Sequence, residues 1–241
     1  MRNEEDLNKP LPLFEYGQHG NVEAFTHDSF CENLRMGKIP IVIICGPNGV
    51  GKGSIINELT NNTFLPVAKL KRVTSKELTP SDSDLYIPFN QDNFQEMVLN
   101  NRLLEWSYHV PGYYGTPIEA VNELANRGMT PLIDIDIEAG LLIKRILSNC
   151  GIKMIDILIL PASEKLLESD EGMQLLLTIL LQRMMSRNRI TDSNDLIGRI
   201  KRSGLLLQNS HLFTHKVINN EGKLIYAVQE VVNIISKYGD I

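Results

Sequence analysis

Cysteine is scarce in this sequence and follows no metal-binding spacing. The three cysteines, Cys31, Cys45 and Cys150, are far apart and odd in number. This pattern argues against a disulfide framework and against a zinc site, and it indicates a reducing compartment. Cys45 ends an apolar run, where we expect it to be a small packing residue.

Two further features are absent: an excess of basic residues and a long hydrophobic segment. The net charge is −5 and the pI is near 5.6, which argues against a nucleic-acid-binding surface. The acidic start, with Glu4 and Glu5, does not resemble a secretory signal. The apolar cluster 175–181 is interrupted by Thr178 and is too short to span a bilayer. We therefore expect a soluble, cytoplasmic protein without nucleic-acid or membrane partners.

The chain nevertheless has enough apolar residues for a large core. It contains 241 residues, of which 43% are hydrophobic, so a single core with a small inserted subdomain is expected. Predicted strands alternate with helices, which indicates a parallel sheet covered by helices. The predicted elements include a strand at 64–73, a helix at 163–185 and a final strand pair at 215–219 and 223–225.

A glycine-rich loop lies between the first core strand and a helix. The apolar run Ile41–Cys45 predicts a strand buried on both faces, and an amphipathic pattern begins at Ser54. Between them, Gly46-x-x-x-x-Gly51-Lys52 has the spacing of a phosphate-binding loop. Backbone N–H groups, a helix N-terminus and a lysine all favour an anion there. A glycine turn that binds nothing is the alternative.

The loop departs from the general pattern at one position. Gly53 stands where Ser or Thr usually binds Mg²⁺, and Ser54 comes one residue later. Many nucleoside monophosphate kinases share this Lys-Gly-Ser or Lys-Gly-Thr arrangement. Among proteins with a phosphate-binding loop, the departure therefore favours a resemblance to these kinases.

Further motifs, in order, resemble the guanylate kinase family over about residues 39–240. They are Tyr86-x-x-Phe89, Phe94–Met97, Leu104-Glu105-Trp106, Tyr113–Pro117, Ile133–Asp136, Ile157–Ser163 and His215–Asn220. The resemblance implies an α/β fold of the P-loop NTPase type, with helices on both faces of a parallel sheet. A small mixed subdomain that binds the nucleoside monophosphate and a helical lid complete it.

The resemblance also implies a division of the chain. Residues 1–38 form an N-terminal extension, whose role as a tail, a partner-binding arm or a strap stays open. The core comprises 39–66, 128–182 and 205–240, the monophosphate-binding subdomain about 67–127, and the lid about 183–204. A protein partner for the extension has no support in the sequence.

On the donor side, the resemblance implies a site for ATP with Mg²⁺. Lys52 is the catalytic lysine, and Asp134 and Asp136 belong to the outer shell of the metal, through water. The carboxylates lie two residues apart on a buried strand, and a capped strand end is the alternative role. The ATP-binding residues are Gly46, Asn48, Gly49, Val50, Gly51, Lys52, Gly53 and Ser54.

On the acceptor side, the resemblance implies a GMP or dGMP site. Glu105 reads the guanine base, because a carboxylate accepts two parallel N–H bonds. Thr116 donates to guanine O6 and Asp136 lies near the base, while the hydroxyls of Tyr86 and Tyr114 hold the phosphate. For Trp106, aromatic packing is the better interpretation.

The arginine segment departs from the family pattern. The family carries two arginines that clamp the acceptor phosphate, whereas here the segment reads Lys69-Leu70-Lys71-Arg72-Val73-Thr74-Ser75-Lys76. Arg72 aligns with the first arginine, and the second falls at Ser75. Lys71 or Lys76 supplies charge but not the bidentate planar contact of arginine. The acceptor site is therefore damaged, rebuilt or suited to another ligand.

The predicted lid carries the remaining catalytic candidates. Arg187 or Arg189, together with Arg199, is expected to stabilise charge during phosphoryl transfer. A solvated helix face is the alternative for such a charge run. About a dozen extra residues, 164–176, precede the lid.

Three interpretations follow. The first is an ATP-dependent kinase that converts GMP or dGMP to the diphosphate. The second is a guanylate-kinase-like module that binds a protein or nucleotide with weak or no activity, and the third is a kinase for another phosphorylated acceptor. The intact phosphate-binding loop favours an enzyme.

Overall fold

The computed structural model describes residues 22–61, 64–79, 84–109, 112–186 and 207–238, the backbone of 18–19, and the single positions 82, 200, 203 and 204. Within these residues the strands are β1 Gln18–His19, β2 Ile41–Cys45, β3 Val67–Lys69, β4 Arg72–Thr74, β5 Tyr86–Pro88, β6 Leu103–His109, β7 Gly112–Pro117, β8 Thr130–Asp134, β9 Met154–Leu160 and β10 His215–Ile218. The α-helices are α1 Glu32–Arg35, α2 Lys52–Asn61, α3 Gln91–Leu99, α4 Ile118–Asn126, α5 Ile137–Asn149, α6 Asp170–Met185 and α7 Leu224–Tyr238.

The core is a parallel sheet in the order β10-β9-β2-β8-β3. Its central strand β2 is fully buried at every position, as its run of apolar residues predicts. Helices flank this sheet: α5 packs against β2 and β9, and α2 packs with α7. The predicted α/β class with a parallel sheet is confirmed.

A second, mixed sheet has the order β1-β6-β7-β4-β5. Its pairs are antiparallel except for β4 with β5. One face covers a small apolar cluster: Val73, Phe94, Met97, Leu103, Trp106 and Tyr113. Trp106 therefore packs in a core, which agrees with its predicted role. The opposite face of β6 carries Glu105 and Ser107, because side chains alternate along a strand.

The predicted strand at 64–73 is in fact two strands in different sheets. β3 pairs with β8 in the core sheet, and β4 pairs with β5 and β7 in the mixed sheet. The chain crosses between sheets at Leu70 and Lys71, where Leu70 N still donates to Leu132 O at 2.8 Å. This crossing places Arg72 in the mixed sheet.

Two other sequence-based elements need correction. The predicted strand 223–225 is wrong, because Gly222 makes a turn with φ 69° and α7 begins at Leu224 with Ala227, Val228, Val231 and Ile235 buried along one face. The predicted helix 163–185 is two elements, a 3₁₀ helix at Glu164–Glu168 and α6. Ser169 separates them, since its hydroxyl accepts from Gly172 N and caps α6.

Residues 22–36 pack onto the core rather than extending from it. Phe25, Phe30 and Leu34 are buried in the main hydrophobic cluster. The Asn122 amide group on α4 accepts from Cys31 N at 2.9 Å and donates to Ser29 O at 3.0 Å. This stretch of the extension is therefore a strap across the domain.

Across the described ranges, every helix is either too short or too polar to cross a membrane.

Candidate active site

The phosphate-binding loop occupies the turn between β2 and α2, at the carboxyl edge of the parallel sheet. Gly49 and Gly51 have φ of 84° and 98°, a region that favours glycine. A Cβ on Gly51 would also lie 2.4 Å from Asn219 Nδ2. Two positions of the predicted loop therefore require glycine for conformation or for space.

Lys52 lies at the first position of α2 and folds over the loop. Its Nζ donates to Gly46 O at 2.5 Å and is 3.5 Å from Pro47 O. The ammonium is held by backbone carbonyls at the mouth of the loop, beside the N-terminus of α2, where phosphate binding is favoured.

The loop is braced by residues that follow β10 and by helix α6. Asn219 Nδ2 donates to Val50 O at 2.8 Å, and Arg183 Nη1 donates to Asn219 O at 3.0 Å. A cavity of about 220 Å³ lies beside this brace, with Gly51, Ser54, Arg183, Ser186, Asn219 and Glu221 among its lining residues. Arg183 is the first arginine of the predicted lid, although it is not among the predicted catalytic residues. Asn219 is not predicted as a site residue, although it lies in the motif His215–Asn220.

The predicted acceptor residues come together on one face of the mixed sheet. Cross-strand pairing sets Glu105 opposite Thr116, Tyr114 opposite Thr74, and Arg72 opposite Tyr86. The Tyr86 and Tyr114 rings meet edge to face, with centroids 5.4 Å apart. Burial raises the pKa of both phenols, so both remain protonated donors at neutral pH.

Glu105 is the centre of this face and is held by two neighbours. Its Oε1 accepts from Arg72 Nη2 at 2.6 Å and from Thr116 Oγ1 at 2.5 Å, while Arg72 Nε lies 3.3 Å from Thr116 Oγ1. Glu105 is 0% exposed and the Arg72 side chain 11%. Burial raises the pKa of Glu105, and Arg72 opposes that rise.

Arg72 therefore contacts the predicted base-reading group instead of standing alone as a phosphate clamp. Burial disfavours its charge, but Glu105 raises its pKa and keeps it a cation. Lys76, the other expected source of charge, is paired with Asp82 at 2.9 Å. Lys69, which was not predicted as a site residue, lies 3.6 Å from Asp134 Oδ2. In the sequence, only its place at the start of the arginine segment indicated that Lys69 could belong to the site.

Asp134 ends β8 at the carboxyl edge of the core sheet, next to β2, whereas Asp136 lies beyond the strand, so the prediction that both carboxylates lie on one buried strand is wrong. Asp136 Oδ1 accepts from Ala139 N at 3.1 Å and caps α5. Its charge also raises the pKa of Cys45, after burial, and that of Glu105. Cys45 Sγ, at the end of β2, donates to Asp136 O at 3.5 Å, so Asp136 lies beside the start of the phosphate-binding loop.

A divalent metal fits these residues only as an outer-shell ligand set. The described residues contain no cluster of three or more His, Cys, Asp or Glu side chains that could hold an ion. Asp134 faces an ammonium and Asp136 caps a helix. Oxygens of a bound triphosphate and water would have to supply the inner ligands. The predicted lid arginines Arg187, Arg189 and Arg199 lie outside the described residues.

Fold and site together define a P-loop nucleotide-binding protein in which a mixed sheet carries the buried pair of Glu105 and Thr116. The sequence matches the family model of guanylate kinase over residues 38–189. The chain belongs to the guanylate kinase family.

Relatives and a solved structure agree with this assignment. The chain is 28% identical over 201 residues to guanylate kinase of Mycoplasmoides gallisepticum, covering 82% of this chain and 92% of that protein. It is 28% identical over 197 residues to guanylate kinase of Prochlorococcus marinus subsp. pastoris, covering 81% and 96%. The fold is similar to that of guanylate kinase from Anaplasma phagocytophilum, with a TM-score of 0.60, 14% identity and 85% and 88% coverage.

Proposed function

We propose that this protein transfers the γ-phosphoryl group of ATP to GMP or dGMP, giving ADP and the nucleoside diphosphate. The observation that carries the proposal is the buried carboxylate of Glu105, which lies with Thr116, Tyr86 and Tyr114 on one face of the mixed sheet. Guanine presents adjacent N–H donors to such a group, and adenine does not. Family membership supports the same reaction.

In this proposal, each of the two sheets binds one substrate. The core sheet holds ATP through the loop 46–51, Lys52 and Ser54, and the strands of the mixed sheet between about 67 and 127 hold the acceptor. Tyr86 and Tyr114 donate hydroxyl bonds to the acceptor phosphate, whose oxygen attacks the γ-phosphorus. Because this reaction needs positioning and charge neutralisation more than acid–base chemistry, Lys52 and the arginines of 183–204 are the main contributors.

We also propose that Mg²⁺ binds together with ATP. When bound, it neutralises the phosphate oxygens and orients the triphosphate. Asp134 and Asp136 would hold it through water. We also keep the cytoplasm as the expected location, in accord with the free thiols of Cys31, Cys45 and Cys150.

The test is ADP production from ATP and Mg²⁺ with GMP, dGMP, AMP, CMP and UMP in parallel. We expect turnover with GMP and dGMP alone, and its loss in Lys52→Ala. Turnover with another acceptor would reassign the substrate. ATP binding without turnover on any acceptor would contradict the kinase proposal and favour a binding module.

A second variant tests the base-reading role. Glu105→Gln replaces an acceptor of two N–H bonds by a group with one acceptor and one donor. We expect the KM for GMP to rise by about 10- to 100-fold, while the KM for ATP stays within a factor of two. An equal rise for both substrates would remove Glu105 from base recognition.

A further inference from the structure

Two buried polar atoms on β6 have no hydrogen-bond partner among the described residues. They are Glu105 Oε2 and Ser107 Oγ, in side chains that are 0% and 1% exposed. A buried polar atom without a partner destabilises the fold, so such atoms are rare in folded proteins. Two of them on one strand indicate that a ligand group completes their bonds.

Ser107 shares the acceptor face with Glu105. Residues two apart on a strand point to the same side, and Trp106 between them packs in the opposite, apolar cluster. Cross-strand pairing sets Ser107 opposite Tyr114, next to the pair of Glu105 with Thr116. The hydroxyl therefore lies beside three predicted acceptor-binding residues.

Glu105 alone offers limited capacity to a base. Its Oε1 already accepts from Arg72 and Thr116, which leaves mainly Oε2 for a ligand. The edge of guanine that carries N1–H and the 2-amino group presents three N–H donors. A further acceptor is needed to satisfy them when the base is buried.

We propose that Ser107 Oγ accepts a hydrogen bond from the 2-amino group of the acceptor base, beside Glu105 Oε2. This proposal rests on the proposed GMP kinase function and deepens it. Ser107 is then a specificity-determining residue that favours guanine over hypoxanthine, which keeps N1–H and O6 but lacks the amino group. Both atoms are covered in this conformation, so the base reaches them only when this face of the mixed sheet is uncovered.

The experiment compares the Kd of GMP and IMP, by titration calorimetry, for the wild-type chain, Ser107→Ala and the control Ser148→Ala. Ser148 is exposed on α5. In Ser107→Ala we expect the Kd of GMP to rise about 5- to 10-fold, as for one lost hydrogen bond, and that of IMP to change less than twofold. The apo-protein Tm should stay equal or rise, because the hydroxyl removed has no protein partner.

Three other outcomes would contradict either the role of Ser107 or the proposed function on which it rests. A wild-type chain that prefers GMP to IMP, with the same preference in Ser107→Ala, overturns the role of Ser107 only. Equal weakening of both nucleotides with a lowered Tm assigns Ser107 a structural role and overturns the proposal. A wild-type chain that binds ATP but neither GMP nor IMP overturns the GMP kinase function, and the proposal with it.

Discussion

At the scale of single residues, the pair of Arg72 and Glu105 dominates the acceptor site. Glu105 is fully buried, the Arg72 side chain is 11% exposed, and Arg72 Nη2 lies 2.6 Å from Glu105 Oε1. Separating a buried ion pair by removing one partner is costly, because the other charge is left unsolvated. The pair therefore links the integrity of the mixed sheet to the ionisation of the predicted base reader.

Arg72→Met is expected to lower the free energy of unfolding by about 3 kcal/mol at pH 8. The loss should be smaller at pH 5. Burial raises the pKa of Glu105 and Arg72 opposes that rise, so the folded variant takes up a proton on Glu105 at a higher pH than the wild type does, and the protonated carboxyl no longer leaves an unpaired buried charge. Urea denaturation at the two pH values measures the difference.

The matched control is the double variant Arg72→Met with Glu105→Gln. The second substitution removes the unpaired carboxylate of Glu105. It should therefore restore much of the free energy of unfolding that Arg72→Met loses at pH 8. A loss that is equal at both pH values and in the double variant would show that packing of the arginine stem, and not charge, is responsible.

At the scale of elements, Asp82 forms hydrogen bonds with Lys76 and Thr79, which follow β4; we call these three residues the clasp. The carboxylate accepts from Thr79 N at 3.0 Å, Thr79 Oγ1 at 2.7 Å and Lys76 Nζ at 2.9 Å. The amide and hydroxyl of Thr79 and the ammonium of Lys76 lower the pKa of Asp82 from 3.8 to about 2. The clasp pairs Lys76, one of the two lysines that the sequence offers as a charge for the acceptor phosphate.

Asp82→Asn should reduce the free energy of unfolding by about 1 kcal/mol at pH 7, a value reduced for solvent screening. Because the folded-state pKa is lower than that of the unfolded chain, the stabilisation is present above about pH 4 and is lost as the pH falls toward 2. Denaturation curves from pH 3 to 7 should show the two proteins converging at the acid end.

Asp28→Asn is the control for this prediction. Its pair with Arg35 has side chains that are 83% and 35% exposed, so the change should cost less than about 0.5 kcal/mol. A constant difference between Asp82→Asn and the wild type across the pH range would refute the electrostatic account of the clasp.

At the scale of the whole molecule, the strap at 22–36 joins the core that the kinase family shares. Phe30 is 2% exposed and packs in the same cluster as the parallel sheet. The strap also bonds to Asn122 on α4. We therefore expect its residues to stabilise the entire domain and not only the N-terminus.

Phe30→Ala should lower the free energy of unfolding by about 3–4 kcal/mol, through lost burial and the cavity that remains. For a chain of this size the Tm should fall by about 6–16 °C. Phe64→Ala, at a phenylalanine 87% exposed, is the matched control and should change little. Similar Tm values for both variants would mean that the strap detaches in solution.

The core strand, the phosphate-binding loop and the helix that follows it could be predicted from the sequence. These features depend on local preferences: β-branched residues in Ile41–Cys45, glycines with positive φ at Gly49 and Gly51, and an amphipathic helix. The juxtaposition of Glu105 and Thr116 was also accessible through the motifs of the family. Their roles in binding stay predictions.

The groups that surround Glu105 could not be predicted from the sequence and are visible only in the folded structure. Arg72 meets it across 33 residues and Thr116 across 11, and the meeting depends on the crossing at Leu70 from one sheet to the other. Periodicity does not show such a crossing, because β3 and β4 have the same local pattern as one continuous strand. The partnerless hydroxyl of Ser107 and the ion pair of Lys69 were hidden for the same reason: burial and pairing over long separations are properties of the folded chain.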